Sequence, residues 1–220
     1  TISILNSTTS MASHGSGISG GDRIFMEFAR RWSRDHSVVI VTWDEGVAMM
    51  ARNKLLETSN ISFHRLPIPR LIQSNFLACY FFRIFISIFT TLTLKITNSS
   101  DTYVYSSSEF WMDSLPSFIL KLRYQTLKWI ATWFQTAPSP LKGFSSGGRT
   151  QVYRLNAFLL WASQLPVKPL INHFANYVFV NNDLEKQVFP NSRTVVVLGA
   201  VDTEAIDSFR RGHRNPKKIY

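Results

Sequence analysis

The 220-residue chain is long enough for one sizeable domain and needs no covalent staples to hold a core. Hydrophobic residues make up 45% and charged residues 17%, which excludes a disordered polar chain, and the single cysteine excludes an internal disulfide. Lys and Arg number 24 against 14 for Asp and Glu, a net charge of +10 that points to a polyanionic partner, either nucleic acid or an anionic lipid surface.

Ile2–Leu5 is a short apolar strand candidate, so no signal-peptide pattern opens the chain, and the missing initiator Met points to a processed or trimmed start. A polar, glycine-rich loop follows to Gly21. Asp22 is placed to cap a helix to about Arg34, with Ile24, Phe25, Phe28 and Trp32 on one face. Ser37–Trp43 is β-branched and nearly continuously apolar, as expected of a strand covered on both faces. Ala48–Leu56 reads as a helix and Ile61–Leu66 as a strand.

The long apolar stretch Phe76–Leu94 contains Cys79, read as a small buried hydrophobe, and one charge, Arg83. Tyr80, Arg83, Ser87, Thr90 and Thr91 recur there at helical spacing as a polar stripe. Three readings stay open: a core helix, an in-plane membrane-surface helix, and a membrane span.

Beyond it, Thr102–Tyr105 reads as a strand, Trp111–Leu122 as a helix and Trp129–Phe134 as a strand. A loose Pro/Ser/Gly segment, Ala137–Gly148, leads into a helical region ending near Ala175. Tyr177–Val180 is a strand, Asp183–Val188 a short helix opened by an Asn-Asn-Asp cap, and Thr194–Leu198 the last strand. Strands alternating with helices predict an α/β fold with a doubly wound, mostly parallel Rossmann-like sheet and helices on both faces.

Charge is distributed unevenly. No acid occurs from Ile61 to Ser100 or from Ser114 to Asn182, whereas Lys121, Arg123 and Lys128 lie in the second block. These three, with Arg83, are the candidates for an anionic-membrane surface. Nucleic acid ranks low as the alternative partner, and no nucleic acid is expected, since no zinc spacing, helix-turn-helix cue or RNP-like strand accompanies the charge. No metal-ligand spacing is present either.

Gly15-Ser16-Gly17-Ile18-Ser19-Gly20 matches G-x-G-x-x-G, and Asp44 stands near the end of the second strand, where a ribose-binding acid would lie. An NAD(P)-binding Rossmann domain of an oxidoreductase is therefore one alternative. The long gap between Leu5 and Gly15 speaks against it, and favours Gly20-Gly21 at the helix mouth as a general phosphate approach.

The helix DRIFMEFARRW after Gly20-Gly21, with NYVFVNNDLEKQVF (176–189) and TVVVLGAVDTEAI (194–206), resembles the N-terminal domain of family 4 glycosyltransferases. That resemblance implies one half of a GT-B fold: residues 1–213 as the acceptor-side domain, and 214–220 as the start of a linker and first strand of a donor-binding domain. It implies retaining sugar transfer from a nucleotide-sugar co-substrate, without metal or other cofactor, to a glycan or lipid-linked acceptor. The setting implied is the cytoplasmic face of a membrane, with peripheral attachment and no turnover by this chain alone. By position, Gly20 and Gly21 would face the donor diphosphate, while His14, Ser106, Ser107, Glu109, Gln135 and Asn181 are cleft candidates. Gln135 stands where relatives carry a sugar-contacting histidine, and His173 reads as an ordinary polar residue. The catalytic residue is not assigned, and a non-catalytic membrane-binding module is the remaining alternative.

Overall fold

The computed structural model describes residues 2–5, 19–55, 60–96, 98–141, 144–145, 152–190 and 192–199. In chain order the elements are β1 (Ile2–Leu5), α1 (Gly20–Trp32), β2 (Val38–Trp43), α2 (Asp44–Arg52), β3 (Ile61–Leu66), α3 (Arg70–Gln73), α4 (Phe76–Thr93) and β4 (Tyr103–Ser106). There follow α5 (Trp111–Arg123), β5 (Lys128–Trp133), β6 (Phe144–Ser145), β7 (Val152–Tyr153), α6 (Arg154–Gln164), α7 (Val167–Phe174), β8 (Tyr177–Val180), α8 (Asp183–Lys186) and β9 (Arg193–Val196).

Seven strands form one sheet in the order β3-β2-β1-β4-β5-β8-β9, every pair parallel. The expected α/β class with a Rossmann-like sheet is the one observed. Because side chains alternate across a strand, the inner strands β2, β4, β5 and β8 supply two cores. Trp129, Ala131 and Trp133 of β5 join Val104, Leu120, Val167 and Ile171 on one face, the face of α5 and α7. Ile130 and Tyr105 join Phe25, Met26 and Ala29 of α1 and Met49 and Met50 of α2 on the other. Burial on both faces explains why β2 and β5 read as continuous apolar runs.

Local differences from the sequence expectations have specific causes. The α1 cap is Ser19, not Asp22: the Asp22 N–H donates to Ser19 Oγ at 3.1 Å and the Ser19 N–H donates to Asp22 Oδ2 at 2.9 Å, a closed capping box. Helix α2 starts directly at Asp44 rather than at Ala48. The helical region before Ala175 is two helices, broken where Leu165–Pro166 interrupt the hydrogen-bond ladder. Strand β6 falls in the segment expected to be loose, and its antiparallel partner β7 in the region expected to be helical, so that helix α6 begins only at Arg154. The domain boundary at 213, the strand start over 214–220 and Val201–Asp202 of the resembling turn lie outside the described residues.

Among the described residues no helix is long and apolar enough to cross a membrane, which removes the spanning reading of 76–94. Helix α4 turns its polar stripe inward. Arg83, Ser87, Thr90 and Thr91 are buried, and Arg83 lies 4.4 Å from the Trp43 ring centroid. Arg83 is therefore a core residue and not part of an anionic-surface patch. Burial lowers its pKa to about 10, with the negative charge of Asp113 opposing the fall, so it stays cationic at neutral pH.

Candidate functional site

In a parallel sheet, ligand-facing loops gather at the carboxyl ends of the strands, where the strand order reverses. Here β1 has β2 on one side and β4 on the other, so the reversal lies between β1 and β4. Leu5 pairs with Ser106 at that edge. The described residues that meet there are the start of α1, the loop Ser107–Phe110 after β4, and the exit of β5 at Phe134–Thr136.

Glu109 is the centre of this group. It is buried, and its carboxylate accepts from its own backbone N–H and from that of Phe134. Burial, larger than the opposing effect of those two donors, raises its pKa from 4.5 to about 7. Nearby negative charge from Asp113 and Glu185 pushes the same way. A carboxyl poised near neutrality can both donate and accept a proton at physiological pH.

The loop carrying Glu109 is fixed from below. Asp113, fully buried in the first turn of α5, accepts from Ser107 Oγ at 3.1 Å and from Ser108 Oγ at 2.6 Å. Ser108 Oγ in turn accepts from the Phe110 N–H, and Ser114 Oγ donates to the Ser108 carbonyl at 3.0 Å. Ser107 therefore belongs to the support of the loop. Ser106 is a correction: its Oγ accepts from Trp129 Nε1 at 3.1 Å and its carbonyl from Thr132 Oγ1 at 2.9 Å, both inside the core. A buried hydroxyl engaged in this way does not face a cleft.

The β5 exit is held from two sides. Gln164, buried at the end of α6, donates through Nε2 to the Gln135 carbonyl at 2.6 Å and accepts the Ala137 N–H at 2.8 Å. Glu185 of α8 accepts from the Thr136 N–H at 3.1 Å and from its hydroxyl. Gln135 itself is exposed at this edge. Gln164, Thr136, Glu185, Ser108 and Asp113 escaped sequence reasoning, because each acts through contacts that no short motif encodes.

Gly21 closes the third side: a Cβ there would meet the Phe134 ring at 3.5 Å, whereas one at Gly20 would meet nothing within 4 Å among the described residues. Asn181 is exposed and accepts from Asn182 Nδ2 at 2.7 Å, while Asn182 caps α8 through Glu185 N. His173 Nδ1 sits 2.8 Å from the Pro169 carbonyl on α7, a local helix contact. Asp44 is exposed and pairs loosely with Arg65 at 3.9 Å. His14 and Gly15–Ile18 lie outside the described residues.

The remaining basic candidates are engaged by their own fold at the opposite, amino-terminal edge of the sheet. Lys121 donates to the Leu127 carbonyl at 2.5 Å, and burial lowers its pKa. Arg123 donates to the Leu94 carbonyl at 3.1 Å, and Lys128 Nζ lies 3.3 Å from the Tyr103 hydroxyl. They do not join the edge that carries Glu109. Among the described residues no cluster of three or more His, Cys, Asp or Glu could hold a metal ion.

The chain is thus an α/β protein with a parallel Rossmann-like sheet and a supported polar edge at its order reversal. Compared with known proteins, it matches no protein-family model and no curated protein.

Proposed function

We propose that this chain is the acceptor-side half of a retaining, GT-B-type glycosyltransferase that uses a nucleotide-sugar donor and a glycan or lipid-linked acceptor at the cytoplasmic membrane face. The observation that carries the proposal is the buried carboxyl of Glu109, held at the carboxyl ends of β4 and β5 with a pKa near neutrality. Sugar acceptors offer hydroxyl groups, and a carboxyl of this kind can orient one by donating or accepting a hydrogen bond. Gln135, exposed beside it, adds an amide for a second hydroxyl.

The start of α1 supports the donor side of this reading. Gly20 is exposed, and among the described residues nothing lies within 4 Å of a Cβ there, which leaves room for a diphosphate to approach the amides of the first turn. The Asp22 carboxylate, engaged in the capping box, opposes an anion there, so the helix end supplies approach rather than the whole affinity. The donor nucleotide itself would be gripped by a second domain, and residues 1–220 alone would turn over no sugar.

The test is sugar transfer by the protein encoded with its donor-binding domain, compared with its Glu109→Gln and Gly20→Ala variants. Glu109→Gln lowers kcat/KM by about a hundredfold, the usual worth of a positioned acid–base group. Gly20→Ala weakens donor binding while leaving the fold intact, since its Cβ meets no atom within 4 Å among the described residues. Reduction of a nicotinamide cofactor in place of sugar transfer would move the chain to the oxidoreductase class.

A further inference from the structure

Helix α4 is inside out relative to water. Its polar side chains Arg83, Ser87, Thr90 and Thr91 are 0–7% exposed, while Leu77, Phe81, Phe85, Phe89 and Leu92 are 53–65% exposed. These five recur every three or four residues, so they form one continuous stripe along an 18-residue helix. Aligned large apolar side chains on a helix of a soluble domain normally face its core. A stripe of this size in water marks an interaction surface.

The charges at its two ends select the partner. Exposed Arg70 precedes α4, exposed Lys95 follows it, and the Arg123 guanidinium lies against the carbonyl of Leu94. No acidic residue occurs from Ile61 to Ser100. We propose that the outward face of α4 docks this protein flat on an anionic lipid surface, with the Leu77–Leu92 stripe at acyl-chain level and Arg70, Lys95 and Arg123 at the headgroups. A helix lying in the interface needs this combination of one apolar face and flanking cations. The inference stands on α4 itself and holds whether or not the chain takes part in sugar transfer.

The experiment is co-sedimentation of the full chain with phosphatidylcholine vesicles, with and without phosphatidylglycerol. Two variants accompany it: Phe81→Ser/Phe85→Ser/Phe89→Ser, and Arg70→Glu/Lys95→Glu. The wild type binds the anionic vesicles at least about tenfold more tightly than the neutral ones. The triple variant loses about a hundredfold or more in binding, and the charge variant loses the preference for anionic lipid. All three phenylalanines are more than half exposed, so the triple variant keeps the wild-type circular dichroism; should it not, the charge variant carries the test. Equal binding to both vesicle types, or unchanged binding by the variants, overturns the proposal. A wild-type dimer that the triple variant dissolves, with no lipid binding, overturns it in favour of self-association.

Discussion

At the residue scale, Glu109 couples the candidate site to stability. Its folded pKa, about 7, lies above the ordinary 4.5, so between these values the folded chain holds a proton that the unfolded chain has released. Stability therefore falls as pH rises from about 4.5 to about 7 and levels off above that. The loss is on the order of 3 kcal/mol. Glu109→Gln removes this slope, because the amide carries no charge to bury yet can still accept the Phe134 N–H. Urea denaturation of both proteins across that pH range checks it; a wild-type slope of opposite sign, or a slope unchanged in the variant, contradicts the account. Glu109 was legible in the sequence because it follows a strand in a parallel sheet, where loops carry function. Its raised pKa was not, since that depends on burial set by the tertiary fold, which outweighs the Phe134 N–H donated from the exit of the next strand. Ser106 shows the converse: its position suggests the cleft, yet its hydroxyl is taken by the Trp129 indole.

At the element scale, strand and helix order was readable, and β3 and β8 occur over the expected residues. The pattern succeeds there because a strand has only two faces, and burial on each shows directly in residue type. It failed on Arg83 of α4, which was expected at a surface. A polar stripe at helical spacing reads as the wet face, but Arg83 finds Trp43 on β2 and the charge of Asp113 on α5, partners distant in sequence. The two faces of α4 should therefore respond to substitution in the reverse of the usual order. Arg83→Leu removes the cation that offsets the buried Asp113 carboxylate and costs about 3 kcal/mol or more. Phe85→Ser, at a side chain 65% exposed, changes stability by no more than about 0.5 kcal/mol. Chemical denaturation of the two variants decides it, and a greater loss for Phe85→Ser would mean that the outward face is packed in solution. The clamp of Gln164 on Gln135, 29 residues apart, and of Glu185 on Thr136, 49 apart, belongs to the same unreadable class. Such contacts are set by where α6 and α8 pack, and no local periodicity records them.

At the scale of the whole molecule, the two surfaces are separable. On the reading proposed above, the strand-end edge with Glu109 and Gln135 would take hydroxyl and phosphate groups, and the outer face of α4 an anionic lipid boundary. Because α4 starts where β3 ends, its first turn stands on the same side of the sheet as that edge. Docking through α4 would hold the site close to a lipid-linked acceptor. The most direct test of the central claim is to titrate the isotope-labelled chain with a short-chain lipid-linked sugar, and separately with NAD, while following backbone amide shifts. The account predicts that the sugar acceptor shifts the amides of Ser107–Glu109 and Phe134–Thr136, that these shifts weaken in Glu109→Gln, and that NAD leaves them in place. Shifts of those amides by NAD with silence toward the acceptor would contradict it.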